Sequence, residues 1–228
     1  MRLAVVTGAS RGIGRATALE LAHRGLSLAL VGRSSAEQDE TVELARRRGA
    51  PQVRAFACDL SDAFATQELG AELARQLPAP EVVVHNAGVA PRSTVEETPT
   101  AVWQETLLVN LTAPFLLTRA FLPSMRREGR GRIVFVGSIS STLGTARQSA
   151  YVASKWGVVG FMKSLAEELK DSGLVTLAVL PGSTATRMLE GSGFEPRMSA
   201  EDVAKTVVHY ALDAPAAHNG AAIEMFGV

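Results

Sequence analysis

Short runs of β-branched and aliphatic residues recur along the chain at Leu3 to Thr7, Leu26 to Val31, Val53 to Cys58, Val82 to His85, Ile133 to Val136, Val175 to Leu180 and Ala222 to Phe226. Between them lie longer stretches with apolar residues at helical spacing, such as Ala16, Leu19, Leu21 and Ala22, or Val42, Leu44 and Ala45. Runs that are continuously apolar must be buried on both faces, and helical crossovers between them make the strands parallel. The alternation therefore predicts an α/β fold, a doubly wound Rossmann domain of about seven parallel strands with helices on both faces and right-handed crossovers. No repeat, linker or shift in composition divides residues 1–228, so one domain is expected. Two irregular connections, Thr142 to Ser149 and Ser183 to Ser199, are long enough to serve as lids.

The charges argue against several classes of partner. Basic and acidic residues are interspersed and balance to a formal net charge of +0, which leaves no basic footprint for nucleic acid. No uninterrupted apolar run reaches the roughly 18 to 20 residues of a membrane helix. The apolar start breaks at Thr7 and Gly8 without a small-residue cleavage site. Neither a membrane partner nor a secretory leader is expected. The lone Cys58 has no partner for a disulfide and no companions for a zinc site. It reads as a small buried hydrophobe in a cytoplasmic protein.

The first apolar run opens directly into "TGASRGIG", Thr7 to Gly14, which carries Gly8, Gly12 and Gly14. In the doubly wound reading this turn joins the first strand to the first helix at the carboxyl end of the sheet, where open α/β folds bind ligands. Unpaired N–H groups and a partial positive charge at a helix start suit a phosphate. Gly8 permits the tight turn, while Gly12 and Gly14 allow close approach of a pyrophosphate and of the helix to the strand. Any sharp strand-to-helix turn favours glycine, so this turn alone leaves a purely structural reading open.

Further along stand "HNAG" at His85 to Gly88, "VN" ending in Asn110, Ser138 after the fifth run, "YVASK" from Tyr151 to Lys155, and "PG" at Pro181 and Gly182. Together with the glycine spacing, this ordered set resembles the short-chain dehydrogenase/reductase family over most of the chain, and within it the 3-oxoacyl thioester reductases. The resemblance implies a nicotinamide dinucleotide held at the glycine turn by Gly8, Ser10, Arg11, Gly12, Ile13 and Gly14. It places Asp59 and Leu60 near the adenine, Asn86, Ala87 and Gly88 along the adenosine, and Pro181, Gly182, Thr184 and Thr186 around the carboxamide. Thr184 stands where the family has valine, and His85 where it often has a second asparagine; His85 is assigned no chemistry. The implied catalytic set is Asn110, Ser138, Tyr151 and Lys155, the last two also touching the cofactor.

The residue types carry that chemistry. Tyr151 and Lys155 are four apart on a predicted helix and share a face. A phenol titrating near pH 10 is a poor acid at neutrality, and a cation about 4 Å away at an effective dielectric near 20 would lower it by roughly three units. Lys155 is expected to supply that cation. Ser138 can hydrogen-bond a substrate oxygen; Ser140 and Ser141 offer the same group, and the family's spacing to the tyrosine favours Ser138. The segment Ala101 to Arg126 reads as one long helix with Pro114 inside it, and the missing N–H faces the carbonyl of Asn110. The family resemblance gives that carbonyl a water that relays protons from the lysine, whereas a kink fitted only to packing is the alternative.

A carboxylate at the end of the second strand would hold a ribose 2′-OH, but the sequence there is "VGRSS". Arg33, with Arg11 on the same side, suits a 2′-phosphate, so NADP(H) is favoured over NAD(H). The expected activity is interconversion of a carbonyl and an alcohol on a small molecule. A non-catalytic dinucleotide sensor or scaffold is the alternative, against which the complete set of Ser138, Tyr151 and Lys155 argues. Met188, Leu189 and Phe194 are expected to wall the substrate side of the loop after Ser183. The segments Trp103 to Leu122 and Val152 to Phe161 are apolar on more than one side, which predicts a homo-oligomer, a dimer or tetramer.

Overall fold

Seven parallel strands form one sheet in the order β3-β2-β1-β4-β5-β6-β7. The structure is a computed structural model and describes residues 2–33 and 35–227. The strands are β1 (Leu3–Thr7), β2 (Ser27–Gly32), β3 (Val53–Ala57), β4 (Val82–His85), β5 (Gly131–Val136), β6 (Leu174–Pro181) and β7 (Ala222–Met225). Each predicted run is a strand, because only a central parallel sheet buries both faces of such segments. The helices are α1 (Gly12–His23), α2 (Ala36–Arg47), α3 (Ala63–Gln76), α4 (Thr100–Leu107), α5 (Ala113–Glu128), α6 (Ser149–Glu168) and α7 (Ala200–Leu212).

Alternate residues of each strand feed opposite cores. Ala4, Val6, Leu28, Leu30, Val82 and Val84 pack with Leu21 of α1, Val42 of α2 and Val203 and Val207 of α7. Leu3, Val5, Val31, Val83, Ile133 and Phe135 pack with Leu73 of α3, Leu117 and Phe121 of α5, and Val158 and Met162 of α6. Cys58 lies in this second core, and burial raises its thiol pKa, as a structural cysteine requires. The chain order reverses between β1 and β4, so their carboxyl ends border the switch-point crevice.

The expected long helix is present but not uniform. Between α4 and α5 the backbone widens into a single π turn, Leu108–Thr112, where the N–H of Ala113 reaches back five residues to the carbonyl of Leu108. Pro114 follows in the first turn of α5, and its missing N–H removes the ordinary donor for the Asn110 carbonyl. By length and composition the span Thr100–Glu128 could cross a membrane, although its apolar residues are interrupted by polar ones. Half of its most apolar window is buried against α3 and the sheet, the pattern of a core helix.

His85, at the end of β4, is buried, stacks on Phe135 at 4.9 Å between ring centroids, and shares a 2.9 Å hydrogen bond between Nε2 and the Thr118 hydroxyl. Burial lowers its pKa to about 3, so the ring is neutral in the folded chain. An unfolded histidine titrates near 6.5, so between these values the unfolded state binds the extra proton. The stabilisation is complete above about pH 6.5 and is lost as pH falls toward 3, at about 1.4 kcal/mol per unit. Denaturant unfolding at pH 7 and 4.5 should show the wild type losing about 2 to 3 kcal/mol more than His85→Asn.

Candidate active site

The crevice begins where the glycine turn meets the end of β4. Gly8 has φ +67°, and a Cβ on it would stand 2.7 Å from Ala87 Cα. At Gly14 an added Cβ would lie 2.2 Å from the carbonyl oxygen of Gly8. The hydroxyl oxygen of Thr7 accepts the N–H groups of Asn86 at 3.0 Å and Ala87 at 3.1 Å. Asn86 Nδ2 donates to the carbonyls of Thr7 and Gly8, both at 3.1 Å, so this side chain ties β1 to β4. Gly14 thus serves helix-to-strand packing more than approach of a ligand.

Side chains cap the starts of α2, α3 and α7, namely Ser35, Asp62 and Ser199. The start of α1 has no side-chain cap and no acidic residue in its first turn. Its N–H groups, beside a turn that excludes side chains, form the donor set a phosphate needs. Thr186 lies over this turn, its Cγ2 3.2 Å from where a Cβ on Gly12 would stand. Ser10 offers backbone there, its carbonyl accepting from Arg15 at 2.7 Å, and Ile13 packs into the first core.

Arg33 is exposed at the end of β2. Asp59 accepts the N–H of Ser61 at 3.0 Å and its hydroxyl at 2.7 Å, and these bonds, helped by the Arg33 charge, lower its pKa. Leu60 is buried in the second core. Glu37, on the first turn of α2, stands 3.6 Å from Arg11 and 2.6 Å from Arg187. Arg11 therefore already faces a carboxylate, although the sequence places none directly after β2.

Ser138, Asn110, Tyr151 and Lys155 are all buried at the carboxyl ends of β4 and β5. Tyr151 and Lys155 occupy one side of α6, with the ammonium 5.7 Å from the centre of the phenol ring. Lys155 Nζ donates to the carbonyl of Val136 at 2.8 Å, and burial lowers its pKa to about 8. Among the hydroxyls of Ser138, Ser140 and Ser141, that of Ser138 is the one that acts on Tyr151. Ser141 Oγ instead accepts the N–H of Ser138 at 3.3 Å, and Ser138 Oγ accepts the N–H of Ser140 at 3.1 Å. The Asn110 side chain accepts from the N–H of Val89 at 2.8 Å and donates to the carbonyl of Val89 and to Ser154 Oγ, both at 2.9 Å. Ser154 in turn donates to the carbonyl of Tyr151 at 2.7 Å, so the π turn, the loop after β4 and α6 are bonded together.

Burial raises the phenol pKa of Tyr151, and the groups that pull it down are the Ser138 side chain and then the charge of Arg92. The Lys155 ammonium, 5.7 Å from the centre of the phenol ring, is turned to the Val136 carbonyl. Nothing in the sequence singles out Arg92 beyond its place four residues past the "HNAG" motif.

The connection after β6 closes the other side. Pro181 and Gly182 end the strand, with the N–H of Gly182 bonded to the carbonyl of Met225 at 2.8 Å. Thr184 is buried, donates to the carbonyl of Gly182 at 3.1 Å, and pairs with Met198 in an isolated bridge. Thr186 donates to the carbonyl of Thr184 at 3.4 Å. Met188 and Phe194 are exposed and Leu189 is half-buried. A shallow pocket under the loop is lined by Thr186, Leu189 and Phe194 among others, whereas another concavity, at Leu169 and Asn219, lies at the opposite end of the sheet.

A crevice at the switch point, with an uncapped helix start and buried hydroxyl and ammonium groups, defines a nucleotide-dependent oxidoreductase site in form. Comparison with known proteins gives the family. Residues 2–195 match the short chain dehydrogenase family model. A 3-oxoacyl-[acyl-carrier-protein] reductase of Synechocystis is 34% identical over 95% of this chain and 92% of its own length. A D-threitol dehydrogenase of Mycolicibacterium smegmatis is 34% identical over 99% of this chain and 92% of its own. The crystal structure of a protein provisionally assigned as an NAD(P)-dependent gluconate 5-dehydrogenase from Beutenbergia cavernae, with NADP at low occupancy, superposes with a TM-score of 0.91 at 32% identity. It covers 98% of this chain and 94% of that one. The chain belongs to the short-chain dehydrogenase family and is an oxidoreductase.

Gly14→Ala forces a methyl group into the Gly8 carbonyl and should lower unfolding free energy by about 3 kcal/mol or more. Gly144→Ala, which meets nothing within 4 Å, should change it by less than about 0.5 kcal/mol. Denaturant titration of both variants checks the contrast.

Proposed function

We propose that the protein interconverts a carbonyl and an alcohol on a small molecule with NADP(H), using Tyr151, Ser138, Lys155 and Asn110. The observation that carries this reading is the burial of the Tyr151 and Ser138 hydroxyls together with the Lys155 ammonium beside the uncapped start of α1. When bound, the nicotinamide supplies or accepts the hydride at the substrate carbon. Because burial keeps the Tyr151 phenol protonated at neutral pH, it is a ready donor to the alkoxide that develops in the reducing direction. Ser138 positions that oxygen and stabilises its growing charge. Lys155 uses one N–H on Val136 and keeps its others for the nicotinamide ribose. The Asn110 carbonyl, facing proline instead of an N–H donor, holds the water that replaces the proton.

Gly8, Ser10, Arg11, Gly12, Ile13 and Gly14 hold the pyrophosphate side, Asp59, Leu60, Asn86, Ala87 and Gly88 the adenosine, and Pro181, Gly182, Thr184 and Thr186 the carboxamide. Support for NADPH over NADH comes from two guanidiniums, Arg33 at the end of β2 and Arg11 in the glycine turn, and from the NADP of the Beutenbergia relative. Glu37 already engages Arg11, so Arg33 carries the larger share of phosphate recognition. The relatives suggest a 3-oxoacyl thioester or a polyol as substrate. Exposed Trp103, Phe115 and Trp156 on α4, α5 and α6 support pairing of two copies through these helices.

Following loss of NADPH absorbance with a panel of carbonyl compounds tests the activity. Tyr151→Phe should abolish turnover while NADPH binding persists; wild-type rates in that variant exclude the assignment. Arg33→Ala should raise KM for NADPH by about 10- to 100-fold, the loss of one charge-assisted contact, and change KM for NADH by less than about twofold.

A further inference from the structure

Arg92 leaves the carboxyl end of β4 on the loop after Gly88 and reaches the segment that closes the crevice. Its Nη2 donates to the carbonyl of Met188 at 2.8 Å and its Nη1 to the carbonyl of Glu190 at 3.2 Å. Its Nε is buried and has no hydrogen-bond partner. Among the described residues no carboxylate lies within ion-pair distance of it, unlike Arg11, Arg15 and Arg187 nearby. The loop that carries Arg92 also borders the buried set, since both backbone groups of Val89 are bonded to Asn110, at 2.8 and 2.9 Å, and the Arg92 charge acts on the Tyr151 phenol.

Arg92 is half-buried, its outer nitrogens open to solvent and its Nε enclosed. Neutral backbone carbonyls satisfy two donors but not the charge, and a buried N–H without an acceptor loses about 1 to 3 kcal/mol. The natural complement is an anionic oxygen group, because Nη1 and Nη2 each keep a second N–H that can donate to a carboxylate. We propose that Arg92 is a specificity-determining residue that binds a carboxylate carried by the same small molecule whose carbonyl meets Tyr151, so that the substrate is a short oxo acid or hydroxy acid. This rests on the carbonyl–alcohol reading above and narrows it beyond both a neutral polyol and a thioester. Because the same guanidinium holds Met188 and Glu190, the carboxylate also joins the closing segment to the catalytic end of α6.

The test compares wild type, Arg92→Met and Arg92→Lys on short 2-oxo and 3-oxo acids and on their neutral methyl esters, with NADPH. For wild type, kcat/KM for the acid should exceed that for the matching ester by about 30-fold or more, the worth of one charge-assisted contact. Arg92→Met should bring this ratio to near one, chiefly through KM of the acid, and Arg92→Lys should restore part of it. A wild type that prefers the ester, or acid and ester falling in parallel in Arg92→Met, overturns the inference and leaves Arg92 a strap for the loop, with the reductase reading intact. If wild type turns over neither, the reductase reading is what fails. Calorimetric binding of the oxo acid then decides the inference: binding weakened at least tenfold in Arg92→Met upholds it, and no binding to wild type overturns it.

Discussion

The end of β1 is fastened to the end of β4 through Thr7 and Asn86, and the rest of the crevice depends on that fastening. Four hydrogen bonds cross between these strand ends over a turn with no room for side chains at Gly8 and Gly14. In a doubly wound sheet the two strands part at this point, and buried polar backbone there would otherwise go unpaired. Thr7 supplies an acceptor and Asn86 a donor, which satisfies the backbone and fixes the distance between the α1 start and the loop after β4. The helix start stays open toward the crevice because no side chain caps it.

A second buried network continues from the first. Asn110 holds both backbone groups of Val89, two residues downstream of the glycine turn's neighbour Ala87, and passes through Ser154 to the backbone of Tyr151. An asparagine in a π turn can do this because the widened backbone sets its side chain off the ordinary helical row. The position of the phenol is thereby linked to the position of β4. Each member is satisfied by another, and a buried polar network is stabilising only under that condition.

Much of this could be read from the chain itself. The strands were legible because a sheet buried on both faces requires unbroken apolar runs, and the family because its motifs, each ambiguous alone, occur together in one order along most of the chain. The irregular helix was legible from Pro114, although its form as a π turn was not, since proline removes a donor without dictating how the backbone adapts. What stayed hidden depends on contacts remote in sequence. Glu37 meets Arg187 across 150 positions, and Arg92 meets Met188 and Glu190 across nearly 100. Helical spacing put Lys155 beside Tyr151 but could not show that the Val136 carbonyl claims the ammonium. The rise of the phenol pKa is hidden for the same reason, because burial depends on the whole fold and not on one neighbour.

The segment after β6 is anchored at both of its ends. The carbonyl of Ser183 accepts the N–H groups of Arg197 and Met198, Ala185 bonds back to Met198, and Thr184 pairs with the same residue. Thr186 over the glycine turn and Arg187 on Glu37 belong to the base, so residues 188 to 196 form an interchangeable cassette, clipped shut below and hung outside the sheet. Insertions, deletions or new side chains there alter what the crevice admits without disturbing β6, α7 or the nucleotide cradle. One scaffold can in this way carry loops of unrelated chemistry while its sheet and buried polar network stay constant.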